Sequence, residues 1–251
     1  MLASGVIGKV KMAKALNLQR HRPRPPVPDA PAPPGVDYDL WLGPAAKRAF
    51  NRNRFHGYWN WYRDCGNGSI MRLAPVVVRY ASLFPDRLEE LVGKARDSSL
   101  PTHASPQCLS ACAYLGLVLC GLIHGMDRDE VLAPNWRPLL QLKELRALHP
   151  EVAEVAAGSF RQRQPPEIVG SGYVAKSLEA ALWAFHDAKD CREAVLRAAN
   201  LGDDADTTGA VCGQLAGAYW GESGIPAEWL AGLARRDMIE QASCGLLGDS
   251  R

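Results

Sequence analysis

From Arg72 to the C-terminus, apolar residues recur three and four positions apart, in stretches separated by turns rich in Gly, Pro and Asp. This spacing places the apolar side chains on one face of an α-helix, and successive helices of this kind bury those faces against one another. The sequence therefore predicts a mainly α fold here. The predicted helices are Leu73–Leu83, Leu88–Ala95, Pro106–His124, Asp127–Ala133, a looser stretch over Pro138–Ala157, Ser177–Ala188, Cys191–Asn200, Thr207–Trp220 and Pro226–Leu233.

The first 64 residues differ in composition. They contain eight of the 18 prolines, most of them between Arg22 and Pro34, and a run dense in Trp, Tyr and Phe between Val36 and Tyr62. Eleven Lys/Arg against four Asp/Glu give them a net charge of +7, whereas the rest carries 18 against 23, or −5. Because the positive residues follow no helical stripe, we predict a solvated surface and no nucleic-acid partner. This shift in composition and charge predicts an irregular or β-containing segment with a Pro-rich linker over residues 1–65, and a helical domain over residues 66–251.

The sequence lacks the features of an exported or membrane protein. Its apolar runs, such as Leu115–Ile123, are too short to span a bilayer, and Met1–Val10 lacks the apolar core of a signal peptide. The seven cysteines are an odd number without a CxxC pair, which is typical of reduced thiols in a core. We therefore expect a cytoplasmic protein without a membrane partner.

The segment Asn200–Gly209, NLGDDADTTG, crowds three carboxylates and two hydroxyls into six positions just before a predicted helix. Mutual repulsion makes such a cluster costly unless a cation or the helix N-terminus compensates it. Asp204, Asp206 and Thr207 can direct oxygen atoms at one point, which suits a hard divalent cation such as magnesium. An acidic N-cap explains the same residues equally well, so the spacing alone leaves both interpretations open.

The helix that follows this acidic segment has an unusual glycine pattern. Gly209, Gly213 and Gly217 lie four residues apart on one face, where each lowers the helix propensity. We therefore predict a close neighbour on that face, most simply another helix, which is compatible with a ligand site at the N-terminal end.

Three further segments place glycine or histidine just before an apolar helix. Gly66–Arg72, GNGSIMR, is either a turn whose amides can hold phosphate or an ordinary Asn-Gly turn. His103 lies next to Ser105, a predicted N-cap, and a histidine in such a turn is more often structural than functional. Gly170–Tyr173 is a second glycine turn, in which Tyr173 can either stack on a base or pack in the core.

In this order, the segments GNGSIMRLAPV, THASPQ, GSGYVAKSLEAALWAF and NLGDDADTTGAVCGQLAGAYWG resemble the ADP-ribosylglycohydrolase family. The resemblance implies a compact all-α fold, hydrolysis of an ADP-ribosyl N- or O-glycosidic bond, and ADP-ribose or an ADP-ribosylated substrate as the partner. It implies magnesium or manganese as the cofactor, with two ions in the family and with Asp204, Asp206 and Thr207 as ligands here. Asp203 stands where glycine is common. The substrate-binding residues that it implies are Gly66, Asn67, Gly68, Ser69, Arg72, His103, Gly170, Gly172 and Tyr173.

Two motifs of this family are absent from the sequence. A glycine-rich Gly-Asp-Ala helix and a Thr-Asp-Asp motif supply the family's other metal ligands and its acid/base carboxylate, but the four Asp of residues 1–65 are neither preceded by Thr nor paired. The resemblance therefore implies a truncated domain with one remaining metal position, an unidentified catalytic residue and impaired hydrolysis. A non-catalytic ADP-ribose binder is the alternative. We also expect self-association through apolar surface that the missing part leaves uncovered.

Residues 1–64 instead resemble a fragment of the Gfo/Idh/MocA-type oxidoreductases. The resemblance rests on Gly8–Val10 and on Val36–Asp64, which contains VDYDLWLGPAAKR and WNWYRD. In that family these residues belong to the sheet-containing domain, and the sequence has neither a GxGxxG opening nor the catalytic lysine motif, so NAD binding is not predicted. We interpret the chain as a fusion of two partial genes near Cys65, which makes a non-functional chimera a third possibility.

Overall fold

The structure, a computed structural model, describes residues 28–32, 38, 49–50, 65–145 and 148–247. The chain divides into two compact units, residues 1–60 and 61–251. In the first unit, the backbone N–H of Ala30 donates to the carbonyl of Phe50 at 2.9 Å, and the rings of Tyr38 and Phe50 meet edge to face at 5.3 Å. Most of the predicted linker, the β-containing segment and the aromatic run lie outside the described residues.

The second unit is helical over its described residues, which confirms the predicted mainly α fold. One-turn 3-10 helices occur at Ala81–Leu83 and Glu222–Gly224. The α-helices are α1 (Gly68–Met71), α2 (Ala74–Tyr80), α3 (Leu88–Ser99), α4 (Pro106–Ile123), α5 (Arg128–Val131), α6 (Arg137–Glu144), α7 (Pro150–Ala156), α8 (Ser159–Gln162), α9 (Val174–Phe185), α10 (Cys191–Ala199), α11 (Ala205–Trp220), α12 (Ala227–Ala231) and α13 (Arg236–Leu247).

Helix α4 forms the centre of the core. It begins as predicted, because the Ser105 hydroxyl accepts a hydrogen bond from the backbone N–H of Cys108 at 3.3 Å and Pro106 occupies the first helical position. Helices α3, α9 and α11 pack around it. Among the described residues, α4 is the one helix long and apolar enough to cross a membrane by composition, and 78% of it is buried inside the protein. Its place in the core accounts for that composition.

The cysteines are free thiols, and five of the seven are buried in the second unit. Burial raises the pKa of the Cys112 thiol to about 11, so this side chain stays protonated at neutral pH. The prediction of reduced core thiols is confirmed for these five, whereas Cys244 is exposed.

Two helical predictions differ from the structure. The looser stretch Pro138–Ala157 is two helices, α6 and α7, because Pro150 starts a new helix at its first position. Helix α13 was not predicted. It packs against α2 but has no buried residue, and Met238, Ile239 and Leu247 are each about half exposed or more. Its apolar residues Met238, Ile239, Ala242 and Leu246 recur at helical spacing, so the sequence prediction overlooked a signal that was present.

The glycine face of α11 is open with respect to the described residues. A Cβ built at Gly209, Gly213 or Gly217 meets none of their atoms within 4 Å. The close neighbour predicted from this pattern is therefore not among the described residues.

Candidate functional site

The turn at Gly66 and Asn67 pairs with the second glycine turn. The backbone N–H of Asn67 donates to the carbonyl of Gly172 at 2.9 Å, and that of Val174 donates to the carbonyl of Cys65 at 2.7 Å. Gly66 and Tyr173 thus form a single antiparallel bridge. These bonds satisfy backbone groups of both turns and fix their relative position, although more than 100 residues separate them in sequence.

The side chain of Asn67 reaches across this junction to the acidic segment. Its amide nitrogen lies 2.9 Å from the Asp204 carboxylate oxygen Oδ2 and 2.6 Å from the Thr207 hydroxyl. The Ser177 hydroxyl and the Ser171 carbonyl lie 3.1 and 3.2 Å from the same nitrogen. Three of the four sequence motifs therefore meet at one side chain.

Asp204 stands at the N-cap position of α11, but its carboxylate makes no capping hydrogen bond. Instead Oδ2 accepts hydrogen bonds from Asn67 and from the Thr207 hydroxyl, and the backbone carbonyl of Asp204 accepts from Thr208. The N-cap interpretation of this carboxylate is therefore wrong. Asp206, in the first turn of α11, is exposed.

The fourth motif lies against the first glycine turn. The His103 side chain is 4% exposed, and a Cβ built at Gly68 would lie 2.8 Å from its ring, so a larger residue at this position would force the ring to move. The ring nitrogen Nδ1 lies 2.8 Å from the Thr102 hydroxyl, which also accepts a hydrogen bond from the Arg72 guanidinium. Arg72 donates a further bond, at 3.2 Å, to the carbonyl of Ser98. Arg72 and His103 therefore hold the turn against the segment between α3 and α4.

Tyr173 is half-buried beside the paired turns. Its hydroxyl donates to the Glu151 carboxylate on α7 at 2.6 Å. Burial, and then this hydrogen bond, raise the pKa of Tyr173 above its ordinary value, so the hydroxyl remains a donor at neutral pH. The prediction that Tyr173 borders the substrate stays a prediction, with the ring anchored through its hydroxyl.

Sequence analysis missed two polar residues that organise the site. Gln214 of α11 donates through Nε2 to the carbonyls of Ile70 and Met71, at 2.8 and 3.1 Å, and accepts from the backbone N–H of Ala74 at 2.8 Å. Ser177 is fully buried next to Asn67. For Gln214 the available signal was a lone polar residue in the glycine-rich interior of α11, where a partly buried polar group needs a partner. Ser177, which lies beside Lys176 and near Glu179, offered no such signal.

Ser69 and the neighbouring grooves contribute less to this site. Ser69 is 1% exposed and lies near the buried thiols of Cys108 and Cys112, so its side chain packs in the core. Two grooves of about 370 and 460 Å³ are lined mainly by α3 and by residues around Phe84 and Trp136. Neither groove includes a residue of the four motifs.

The chain belongs to the ADP-ribosylglycohydrolase family, whose family model matches residues 10–250. It is 34% identical over 204 residues to the ADP-ribosylarginine hydrolase Tri1 of Serratia proteamaculans (strain 568), covering 79% of this chain and 52% of that protein. With Tri1 of Pseudomonas putida (strain GB-1) it shares 38% identity over 177 residues, which are 70% of this chain and 44% of that protein.

More distant and structural relatives agree with this family. The ADP-ribosyl-dinitrogen reductase glycohydrolase of Rhodospirillum rubrum is 27% identical over 170 residues, which are 68% of this chain and 51% of that protein. A solved structure described as an ADP-ribosylglycohydrolase-related protein complex has a TM-score of 0.64 and 39% identity, covering 73% of this chain and 60% of that one. The chain thus spans about half the length of the curated relatives it matches.

Proposed function

We propose that this chain binds ADP-ribose, free or attached to a substrate, at the cluster around Asn67 and Asp204, and that one magnesium or manganese ion strengthens the binding. The observation that carries the proposal is the convergence of four motifs, distant in sequence, through the contacts of Asn67 and His103. Backbone amides at the paired glycine turns and the start of α11 suit a phosphate-bearing ligand.

The donor atoms at the start of α11 fit one hard cation. Asp204, Asp206 and Thr207 offer only oxygen, which Mg²⁺ and Mn²⁺ prefer, and such ions complete their coordination with water. Asn67 and Thr207 both donate to Oδ2 of Asp204, so Oδ1 can face an ion. Among the described residues no group of three or more His, Cys, Asp or Glu side chains could hold a metal, so the proposed ion would depend on the Thr207 hydroxyl, on water and on the bound ligand for the rest of its coordination. When bound, the ion would hold ribose hydroxyls and orient a water toward the anomeric carbon.

We further propose that the 251-residue chain hydrolyses an ADP-ribosyl N- or O-glycosidic bond at an impaired rate. The names of the Tri1 relatives make ADP-ribosylated arginine the first substrate to test. The impairment follows from the absence of the Thr-Asp-Asp motif, with which the family's acid/base carboxylate is lost.

The experiment that tests this function measures release of ADP-ribose from an ADP-ribosylated arginine peptide, with Mg²⁺ and with excess chelator, beside a binding assay on the same protein. We expect slow release that the chelator abolishes. Binding without release would instead favour the non-catalytic ADP-ribose binder. If the chain neither binds ADP-ribose nor releases it from the peptide, both interpretations are contradicted.

Two further interpretations remain proposals. The derivation of residues 1–64 from an oxidoreductase, and with it a non-functional chimera, rests on the resemblance alone, and the family match that begins at residue 10 gives it no support.

Self-association draws support from the exposed apolar side chains of α13, such as Met238 and Ile239. Sedimentation velocity at two protein concentrations would test it, and a concentration-independent monomer would contradict it.

A further inference from the structure

The side chain of Asn67 is directed at protein atoms. It is 6% exposed, and its amide nitrogen lies within hydrogen-bonding distance of four acceptor atoms. The NH₂ group has only two hydrogens, so the two shortest contacts, to Thr207 at 2.6 Å and to Asp204 at 2.9 Å, are the natural recipients. Little of this side chain is left for a ligand to contact.

The chemistry of the neighbours fixes the orientation of this amide. The Asp204 carboxylate and the Ser171 carbonyl can only accept hydrogen bonds, so the nitrogen of Asn67, and not its oxygen, must face them. The Thr207 hydroxyl donates to Oδ2 of Asp204 and therefore accepts from Asn67. Asn67, Asp204 and Thr207 form a closed triangle of hydrogen bonds.

The backbone that carries Asn67 is itself fixed to α11. Gln214 holds the carbonyls of Ile70 and Met71 and the N–H of Ala74 from the same helix that begins beside Thr207. The main chain of Asn67 is bonded on its other side to Gly172. Asn67 is thus held at a set distance from Asp204 by contacts independent of its own side chain.

We infer that Asn67 is a positioning residue that orients the Asp204 carboxylate and the Thr207 hydroxyl for a divalent cation, and is not a direct ligand of ADP-ribose. This inference rests on the proposed function. It replaces the substrate contact that the family resemblance implies for this position. Residues that hydrogen-bond to metal ligands set both the orientation of those ligands and the affinity for the metal.

The test is the affinity of the ligand-free chain for Mn²⁺, measured by titration calorimetry, in the unsubstituted protein and in Asn67→Ala. We expect binding to weaken by about 10- to 100-fold, the range typical for loss of a residue that orients a metal ligand. The matched control is Asn135→Ala, which removes an exposed amide outside the cluster and should leave the affinity unchanged. The affinity for ADP-ribose in the presence of chelator should be the same in all three proteins.

The outcomes separate this inference from the proposed function. Unchanged Mn²⁺ affinity in Asn67→Ala, with weaker chelator-resistant ADP-ribose binding, would overturn the inference and leave the proposed site standing. Absence of Mn²⁺ binding by the unsubstituted chain would overturn the proposed metal and the inference together. If Asn67→Ala does not fold, Asn67→Ser should show the same weakening.

A second readout needs no substitution at Asn67. In the unsubstituted chain the side-chain NH₂ protons of Asn67 should exchange slowly with solvent in nuclear magnetic resonance spectra. Asp204→Ala should speed this exchange at least about tenfold, because it removes an ionised acceptor. An unchanged exchange rate would overturn the inference.

Discussion

Gly170→Ala should lower the free energy of unfolding by about 3 kcal/mol, the upper part of the range for forcing atoms into a filled space. A Cβ at this position would lie 2.2 Å from the backbone carbonyl oxygen of Gly202 and 3.5 Å from the backbone nitrogen of Ala205. Because the obstacle is backbone, no side-chain rotation relieves the clash. Urea denaturation followed by tryptophan fluorescence measures the effect.

The matched control for this prediction is Gly209→Ala in α11. A Cβ there meets no described atom within 4 Å, and alanine in a helix interior is favoured over glycine by about 0.5–1 kcal/mol. The two substitutions add the same methyl group and should change stability in opposite directions. Equal denaturation midpoints for Gly170→Ala and the unsubstituted chain would contradict the close approach of Gly170 to the backbone of Gly202.

Asp204→Ala should lower the affinity for Mn²⁺ by about 100-fold or more. The substitution removes the proposed charged ligand and also the acceptor of the hydrogen bonds from Thr207 and Asn67, and hard cations depend on such oxygen donors. The loss of the free-Mn²⁺ signal in electron paramagnetic resonance measures binding directly, without ADP-ribose.

Asp203→Gly is the control, because it removes a carboxylate from the adjacent residue. Asp203 has φ of +50°, a left-handed backbone conformation that glycine adopts with less strain, by about 1 kcal/mol. We therefore expect this variant to retain Mn²⁺ affinity within about twofold, because Asp203 is exposed and its carboxylate is not among the proposed ligands. Its stability should change by less than about 1 kcal/mol, since the relief of backbone strain and the added freedom of the unfolded chain oppose each other. A comparable loss of affinity in both variants would mean that net charge, and not the position of Asp204, holds the ion.

Most of the helices could be predicted from the sequence, because apolar spacing and capping residues are local patterns. The apolar spacing of α4 and the pair Ser105 and Pro106 lie within a few residues of one another, and the structure places the helix there. Helix α13 carries a comparable apolar spacing at Met238, Ile239 and Leu246, and the sequence prediction overlooked it.

The candidate site could be predicted from the sequence only in part. Spacing around Asp204 allowed both a metal ligand and a helix cap, and it did not show that the carboxylate makes no capping bond and instead contacts Asn67, which is 137 residues away in sequence. The metal ligand stays a prediction. Gln214 is a second example, because no local sequence pattern shows that it bonds to the carbonyls of Ile70 and Met71. Contacts of this kind depend on how helices pack, which periodicity alone does not specify.

The most direct test of the central claim is isothermal titration of ADP-ribose into the purified 251-residue chain, with and without Mg²⁺, beside Asp204→Ala and Asp206→Ala. We predict binding that Mg²⁺ strengthens at least about tenfold and that loses this dependence in both variants. Absence of binding under every condition, or binding that neither Mg²⁺ nor the two substitutions alter, would contradict a metal-dependent ADP-ribose site at Asp204.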